Sequence, residues 1–229
     1  MLKKHMKFNV LFAIIFLLQL LAEYNTELIR LKYTTKPLIT LSLMLMLVVG
    51  TKLSGRFHKR VFAGLVFALA GDILLMKSSD PDFFIYGLAA FLICHLCYIS
   101  AFYLDFRSAP ELDKKGARIA ILLCAIFSIS FYFFIRPHLG TMKLPVLAYI
   151  FVMALTMMMA AFRNQRVNRS SFLLILTGAI CFLVSDALLT YNKFVSQTNC
   201  AGLFIMATYM AAQYLITMGA TARKLLNKS

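Results

Sequence analysis

Apolar residues along this chain come in long blocks, not in alternation and not on one face of a helical repeat. The blocks fall near residues 8–24, 36–51, 60–77, 82–104, 117–135, 142–162, 171–193 and 199–220, and the charged residues gather between them. A helix needs about 20 apolar residues to cross the hydrocarbon of a bilayer, and each block approaches that length. A stretch that is apolar on every side has no face to turn to water. The predicted fold class is therefore all-α: a polytopic membrane protein with eight transmembrane helices. The first block follows a basic start, MLKKHMK, but no small-x-small cleavage site comes after it. It is read as an uncleaved first helix. Eight spans leave little room for an extramembrane domain, so residues 1–229 are read as a single transmembrane domain.

Composition agrees, since 61% of the residues are hydrophobic, against about 45–50% in soluble domains. The mean hydropathy is +0.80. A net charge of +15 would suit a nucleic-acid ligand, but the cations sit in the loops. Seventeen of the 24 Lys and Arg fall on one side: Lys3, Lys4 and Lys7, the loops 52–60, 105–118 and 163–169, and Arg223, Lys224 and Lys228. The other side holds 7. The positive-inside rule then places both termini and the basic loops in the cytoplasm. The charge orients the chain, and no nucleic-acid partner is expected. Short loops favour a bacterial cytoplasmic membrane.

Of five cysteines, Cys94, Cys97, Cys124 and Cys181 lie within blocks and Cys200 lies near a helix end, which is no disulfide framework and leaves the redox compartment unread. Cys94-His95-Leu96-Cys97 has metal-binding residue types, but neighbours on a helix point about 100° apart and zinc wants four converging ligands. No metal and no cofactor are expected. The methionines of 153–159 read as apolar packing.

Carboxylates inside a bilayer are costly, so each is a functional candidate. Glu23, Glu27, Asp80, Asp82, Asp105, Glu111 and Asp113 fall in loops or at helix ends, leaving Asp72 and Asp186 inside the third and seventh spans. Both sit in a small-D-x-L-L context, G-D-I-L-L at 71–75 and S-D-A-L-L at 185–189, 114 residues apart. The same offset superposes helices one to four on five to eight, with Lys36-Pro37 echoed by Lys143 and Pro145. This predicts a parallel duplication of a four-helix unit, with halves 1–110 and 111–229 related by an axis along the membrane normal. The two aspartates would lie at one depth, about 10 Å below the outer helix ends, and face one cavity. A membrane aspartate can also serve helix association alone, for about 1 kcal/mol. Two equivalent ones point instead to an acid and a base. Other polar side chains in the spans are candidates to line the cavity: Lys36, His95, Tyr98, Tyr149, Asn192, Lys193, Tyr209 and Gln213. Each alone reads equally well as packing, as an interface anchor or as a snorkelling cation.

Lys36-Pro37-Leu38, G-D-I-L-L, H-L-C-Y-I-S-A-F at 95–102, S-D-A-L-L followed by Lys193-Phe194, and Y-M-A-A-Q at 209–213 occur in this order across the chain. In these features the chain resembles, end to end, the YhhN-like lysoplasmalogenase family of eight-span membrane proteins. The resemblance implies hydrolysis of the vinyl ether bond of a lysoplasmalogen to a fatty aldehyde and glycerophosphoethanolamine or glycerophosphocholine. It maps the family's paired aspartates onto Asp72 and Asp186 as catalytic residues, with a lysophospholipid and membrane lipids as partners. His95, Tyr98, Tyr149 and Gln213 would orient a water or bind the glycerol hydroxyl, and Lys36 or Lys193 at the cavity mouth would hold the phosphate. Vinyl ethers hydrolyse by protonation of carbon and capture of an oxocarbenium ion by water, which needs an acid and a placed water and no cofactor. A proton-coupled carrier is the rival reading, because repeated halves with buried carboxylates also describe alternating access. Against it, the aspartates lie nearer one face than the midplane. A metal-dependent lipid hydrolase would want several histidines, and only His95 is intramembrane. A purely structural membrane protein is the fourth reading.

Overall fold

The computed structural model describes residues 6–77, 80–110, 113–198 and 200–226. Among them the chain forms eight α-helices: α1 Met6–Tyr24, α2 Ile29–Thr51, α3 Gly55–Leu75, α4 Pro81–Phe106, α5 Lys114–Ile135, α6 Lys143–Ala161, α7 Arg169–Phe194 and α8 Ala201–Thr221. Every apolar block is a helix. Lys3, Lys4, Glu111, Lys228 and the expected start of the last block at 199 lie outside the described residues. The ends carry local stop and start chemistry. Lys52 closes α2 in the left-handed conformation (φ 51°) and donates its N–H to Val48 O. Asp80 caps α4 by accepting from Asp82 N–H, and Asp113 caps α5 by accepting from Gly116 N–H.

The start of the second helix differs from its expected place. Lys36-Pro37-Leu38 does not open the second helix. The helix begins at Ile29, and Pro37 lies inside it. The polar stretch ahead of Pro37 hid the first two turns, whose Lys32 and Lys36 turn to carboxylates of the neighbouring helices. Seven of the eight helices are long and apolar enough to cross a membrane by length and composition. The exception is α3, which carries Arg56, Lys59 and Arg60 in its first turns and Asp72 near its end.

The most extensive packing joins α3 to α4 and α7 to α8. Glycines allow these close crossings. A Cβ on Gly64 would lie 2.4 Å from the Tyr98 ring, and one on Gly219 would lie 2.5 Å from Ile175. α4 also packs on α6, and α8 on α2. Leu43, Leu47, Val61, Leu65, Ile175 and Ile216 fill the interior. Apolar residues also cover the outside, most of all on α5, where Leu122 and Phe133 are exposed. A soluble protein could not carry that face.

At the α4 C-terminus Asp105 is fully buried, although its place at a helix end had read as solvated. Its carboxylate meets Arg163 Nε at 2.8 Å and Arg223 NH2 at 2.5 Å, and both guanidinium groups lie over the Phe57 ring. Arg163 and Arg166, counted above as loop charges, are likewise buried. The segment after α8 is clipped to the α6–α7 loop by Asn168 N–H donating to Lys224 O and Leu226 N–H donating to Arg166 O.

Candidate active site

The opposite end of the bundle, where α1 turns into α2, α3 into α4 and α7 into α8, encloses a cavity of about 600 Å³ lined by both Asp72 and Asp186. The helix ends do not place the two carboxylates alike. α3 stops three residues past Asp72, whereas α7 runs on for eight past Asp186. The apolar block that was read to residue 77 ends early because Met76 and Lys77 already turn.

Asp72, 1% exposed, is held from α2 and α8. Its Oδ2 accepts from the Tyr209 hydroxyl on α8 at 2.7 Å and from Thr40 Oγ1 on α2 at 2.9 Å. Its Oδ1 accepts no hydrogen bond from the described side chains and lies 3.9 Å from Lys36 Nζ. Thr40 and Lys36 stand one turn apart on α2, so one helix face supplies both a hydroxyl and a cation.

Asp186 is gripped from α4 and α6. Its Oδ2 meets His95 Nε2 at 2.9 Å and accepts from the Tyr149 hydroxyl at 3.0 Å. The other imidazole nitrogen, Nδ1, meets Thr156 Oγ1 at 3.1 Å. Phe182 packs against the imidazole with ring centroids 4.5 Å apart. Buried away from water, these contacts are strong and hold both carboxylates in fixed orientations.

The other candidates divide into three groups. Lys36, Asn192, Lys193 and Tyr209 line the cavity with the aspartates. His95 and Tyr149 act on Asp186 from its far side. Tyr98 and Gln213 bind each other, the Tyr98 hydroxyl donating to Gln213 Oε1 at 2.6 Å, and touch neither aspartate. Within the first group Asn192 is occupied in holding the α7–α8 loop, since its Oδ1 accepts from Thr198 N–H. Lys193 Nζ lies 4.6 Å above the Phe84 ring, and no described carboxylate is within ion-pair distance of it. Among the described residues no three His, Cys, Asp or Glu side chains converge as a metal would require.

A further line of polar contacts, not expected from the sequence, runs along α1 and α2. Glu23, read as a helix-end residue, turns inward and lines the cavity with its side chain 5% exposed. Its Oε2 pairs with Lys32 Nζ at 2.7 Å and its Oε1 accepts from Gln19 Nε2 at 3.0 Å. Thr35 in turn donates to Gln19 Oε1. The spacing carried the signal: Gln19 and Glu23 are four apart, as are Lys32, Lys36 and Thr40, so each set shares one helix face.

The arrangement can do acid-base chemistry. Two carboxylates open on one cavity, one beside an ammonium group and two hydroxyl donors, the other beside an imidazole and one hydroxyl. No solved structure matches the chain. Relatives by sequence include the lysoplasmalogenase of Mycobacterium bovis, 29% identical over 166 residues, which are 72% of this chain and 61% of that protein. Lysoplasmalogenase TMEM86A of Bos taurus is 32% identical over 165 residues, 70% of this chain and 65% of the relative. Lysoplasmalogenase TMEM86B of Homo sapiens is 33% identical over 168 residues, covering 73% and 66%. The chain thus spans a little over three fifths of the length of these relatives. The YhhN family model matches residues 31–220, a stretch that takes in both aspartates and every side chain bonded to them, and the chain belongs to the YhhN family.

Proposed function

We propose that the chain hydrolyses the vinyl ether bond of a lysoplasmalogen, releasing a fatty aldehyde and a glycerophospho-alcohol, with Asp72 and Asp186 as its acid-base pair. The observation that carries this reading is that the two buried carboxylates line one cavity while their hydrogen-bond partners differ. The names of the relatives supply the substrate class. Carbon protonation by a placed acid contributes about 10²–10⁴ in rate. An ionised second carboxylate steadies the oxocarbenium ion and takes a proton from the attacking water, as carboxylate pairs do at glycosidic bonds. The alkenyl chain lies along the apolar wall formed by Phe84, Phe91, Leu189 and Met206. The phosphate goes to Lys193, because Lys36 is committed to Asp72 and Lys32 to Glu23.

The reading includes eight crossings and a duplicated unit. Packing supports both: α3 with α4 mirrors α7 with α8, α1 with α2 mirrors α5 with α6, and α4 with α6 mirrors α8 with α2. The side chains follow suit. Tyr209 stands 114 residues after His95, and each bonds the aspartate of the other half. With eight crossings both termini lie on one side, with the buried Asp105 cluster at that end of the bundle.

The direct test is to give purified protein a lysoplasmalogen and, in parallel, its saturated alkyl-ether analogue. Aldehyde is expected from the first alone, since only the vinyl ether offers a carbon to protonate. No aldehyde from either would refute the reading.

A further inference from the structure

Counting hydrogens assigns the two carboxylates different roles. Thr156 Oγ1 has one hydrogen and donates it to Val152 O, 3.0 Å away on its own helix. With that hydrogen on Val152 O, the hydroxyl accepts from His95 Nδ1, which then carries a hydrogen. The Tyr149 hydroxyl donates to Asp186 Oδ2. In that tautomer the remaining contact, His95 Nε2 to that same Oδ2 at 2.9 Å, is a hydrogen bond only if one more proton lies in it. On nitrogen it makes imidazolium and carboxylate; on oxygen it makes neutral imidazole and carboxylic acid. Without it two lone pairs would face each other in a site where His95 is 1% exposed.

Asp72 is built the other way. Both of its Oδ2 contacts come from hydroxyl donors, and its Oδ1 faces the Lys36 ammonium. None of these contacts needs a proton on Asp72, and all of them favour a carboxylate. Resting on the hydrolase reading above, we propose that the His95–Asp186 pair is the acid, Asp72 is the base, and Thr156 is a positioning residue that fixes the tautomer of His95.

The protons balance over one turnover. Asp186 gives the shared proton to the alkenyl carbon two bonds from the ether oxygen, and the adjacent carbon becomes the oxocarbenium centre. Asp186 is then anionic beside a neutral His95. Water adds to that centre and loses a proton to Asp72, leaving a hemiacetal. Asp72 returns this proton to the departing glycerol oxygen as the carbon–oxygen bond breaks. The hemiacetal hydroxyl gives its proton to the His95–Asp186 pair as the aldehyde forms. Both carboxylates end as they began.

The titratable and charged groups facing Asp186 are His95 and its neighbour Cys94 on α4, Tyr149 on α6, and Tyr209 on α8. Across the cavity stand Lys36, Asp72, Glu23, Lys32 and Lys193. Of these, His95 is the one whose contact with Asp186, in the Nδ1–H tautomer, needs a shared proton.

The experiment measures kcat, KM and pH–rate profiles for wild type, His95→Gln, Thr156→Val, Thr156→Ser and Tyr209→Phe, with wild type also run in D2O and the aldehyde trapped by reduction. Deuterium on the carbon beside the former carbonyl is required by vinyl ether hydrolysis itself, and its absence would remove that reading. Given deuterium there, His95→Gln is expected to lose about 100-fold in kcat with KM within about twofold. Its alkaline limb is displaced while its acid limb stays. Thr156→Val shifts the same limb less, Thr156→Ser restores it, and Tyr209→Phe moves the acid limb. An unchanged kcat in His95→Gln, or an alkaline limb that follows Tyr209, overturns the assignment. Should His95→Gln not fold, nitrogen NMR of the labelled wild type decides: a protonated Nδ1 supports the pair as acid, and a bare Nδ1 overturns it.

Discussion

A carboxylate within a membrane span stands out in a sequence because its burial costs several kcal/mol unless something compensates, so Asp72 and Asp186 were legible from residue types and positions alone. Their partners were legible only in part. His95, Tyr149 and Tyr209 were candidates as polar side chains in apolar blocks, and all three bond an aspartate. Tyr98 and Gln213 had the same credentials and bond each other, because nothing in one sequence says which helices adjoin. Thr40 went unseen, since a threonine can satisfy its hydroxyl on its own helix backbone and draws no attention. At this scale the phosphate assignment is testable. Lys193→Gln is expected to raise KM about tenfold with little change in kcat, because a charge pair at a partly open mouth acts mainly on ground-state binding. A fall in kcat alone would place the lysine elsewhere in the reaction. Gly64→Ala drives a Cβ to within 2.4 Å of the Tyr98 ring. Overpacking of that kind costs about 1–3 kcal/mol, seen as a lower melting temperature in detergent.

The helices themselves were legible because hydrocarbon demands long apolar segments, and their ends were found to within a few residues except where polar residues were part of the helix. α2 begins ahead of Pro37 because its first turns spend their lysines on Glu23 and Asp72 and do not lie in water. α3 is the least apolar helix for the same kind of reason: it carries Asp72 at one end and basic residues at the other. The Asp105 cluster was not legible at all, since an acid at a helix end, an arginine in a loop and another in the C-terminal tail describe a solvated surface equally well. Its burial makes a prediction for the elements it joins. Asp105→Ala leaves Arg163 buried without its carboxylate, and breaking such a pair costs about 3–5 kcal/mol. Thermal unfolding is expected to shift down by that amount, and truncation before Arg223 is expected to reproduce part of it. A melting temperature equal to that of wild type would show that the cluster is not a clamp between α4, the α6–α7 loop and the chain end.

For the molecule as a whole, the polar cavity and the ionic clamp sit at opposite ends of the bundle, and the orientation we propose from the charge asymmetry of the sequence puts the clamp on the cytoplasmic side. Cys200 is the exposed cysteine at the cavity end, the other four being buried or partly so. A membrane-impermeant maleimide added to intact spheroplasts is therefore expected to label Cys200, while tags on either terminus stay protected. Labelling of a terminal tag instead would invert the orientation or remove one crossing. The pairing of two aspartates from helices far apart in sequence carries the proposed hydrolysis. It is tested most directly by aldehyde release from a lysoplasmalogen by wild type, Asp72→Asn and Asp186→Asn, each checked for intact folding by its elution from size exclusion and by its helical circular dichroism. Activity is expected in the wild type, with a loss of at least about 100-fold in each variant. Full activity in either folded variant would rule out the pair.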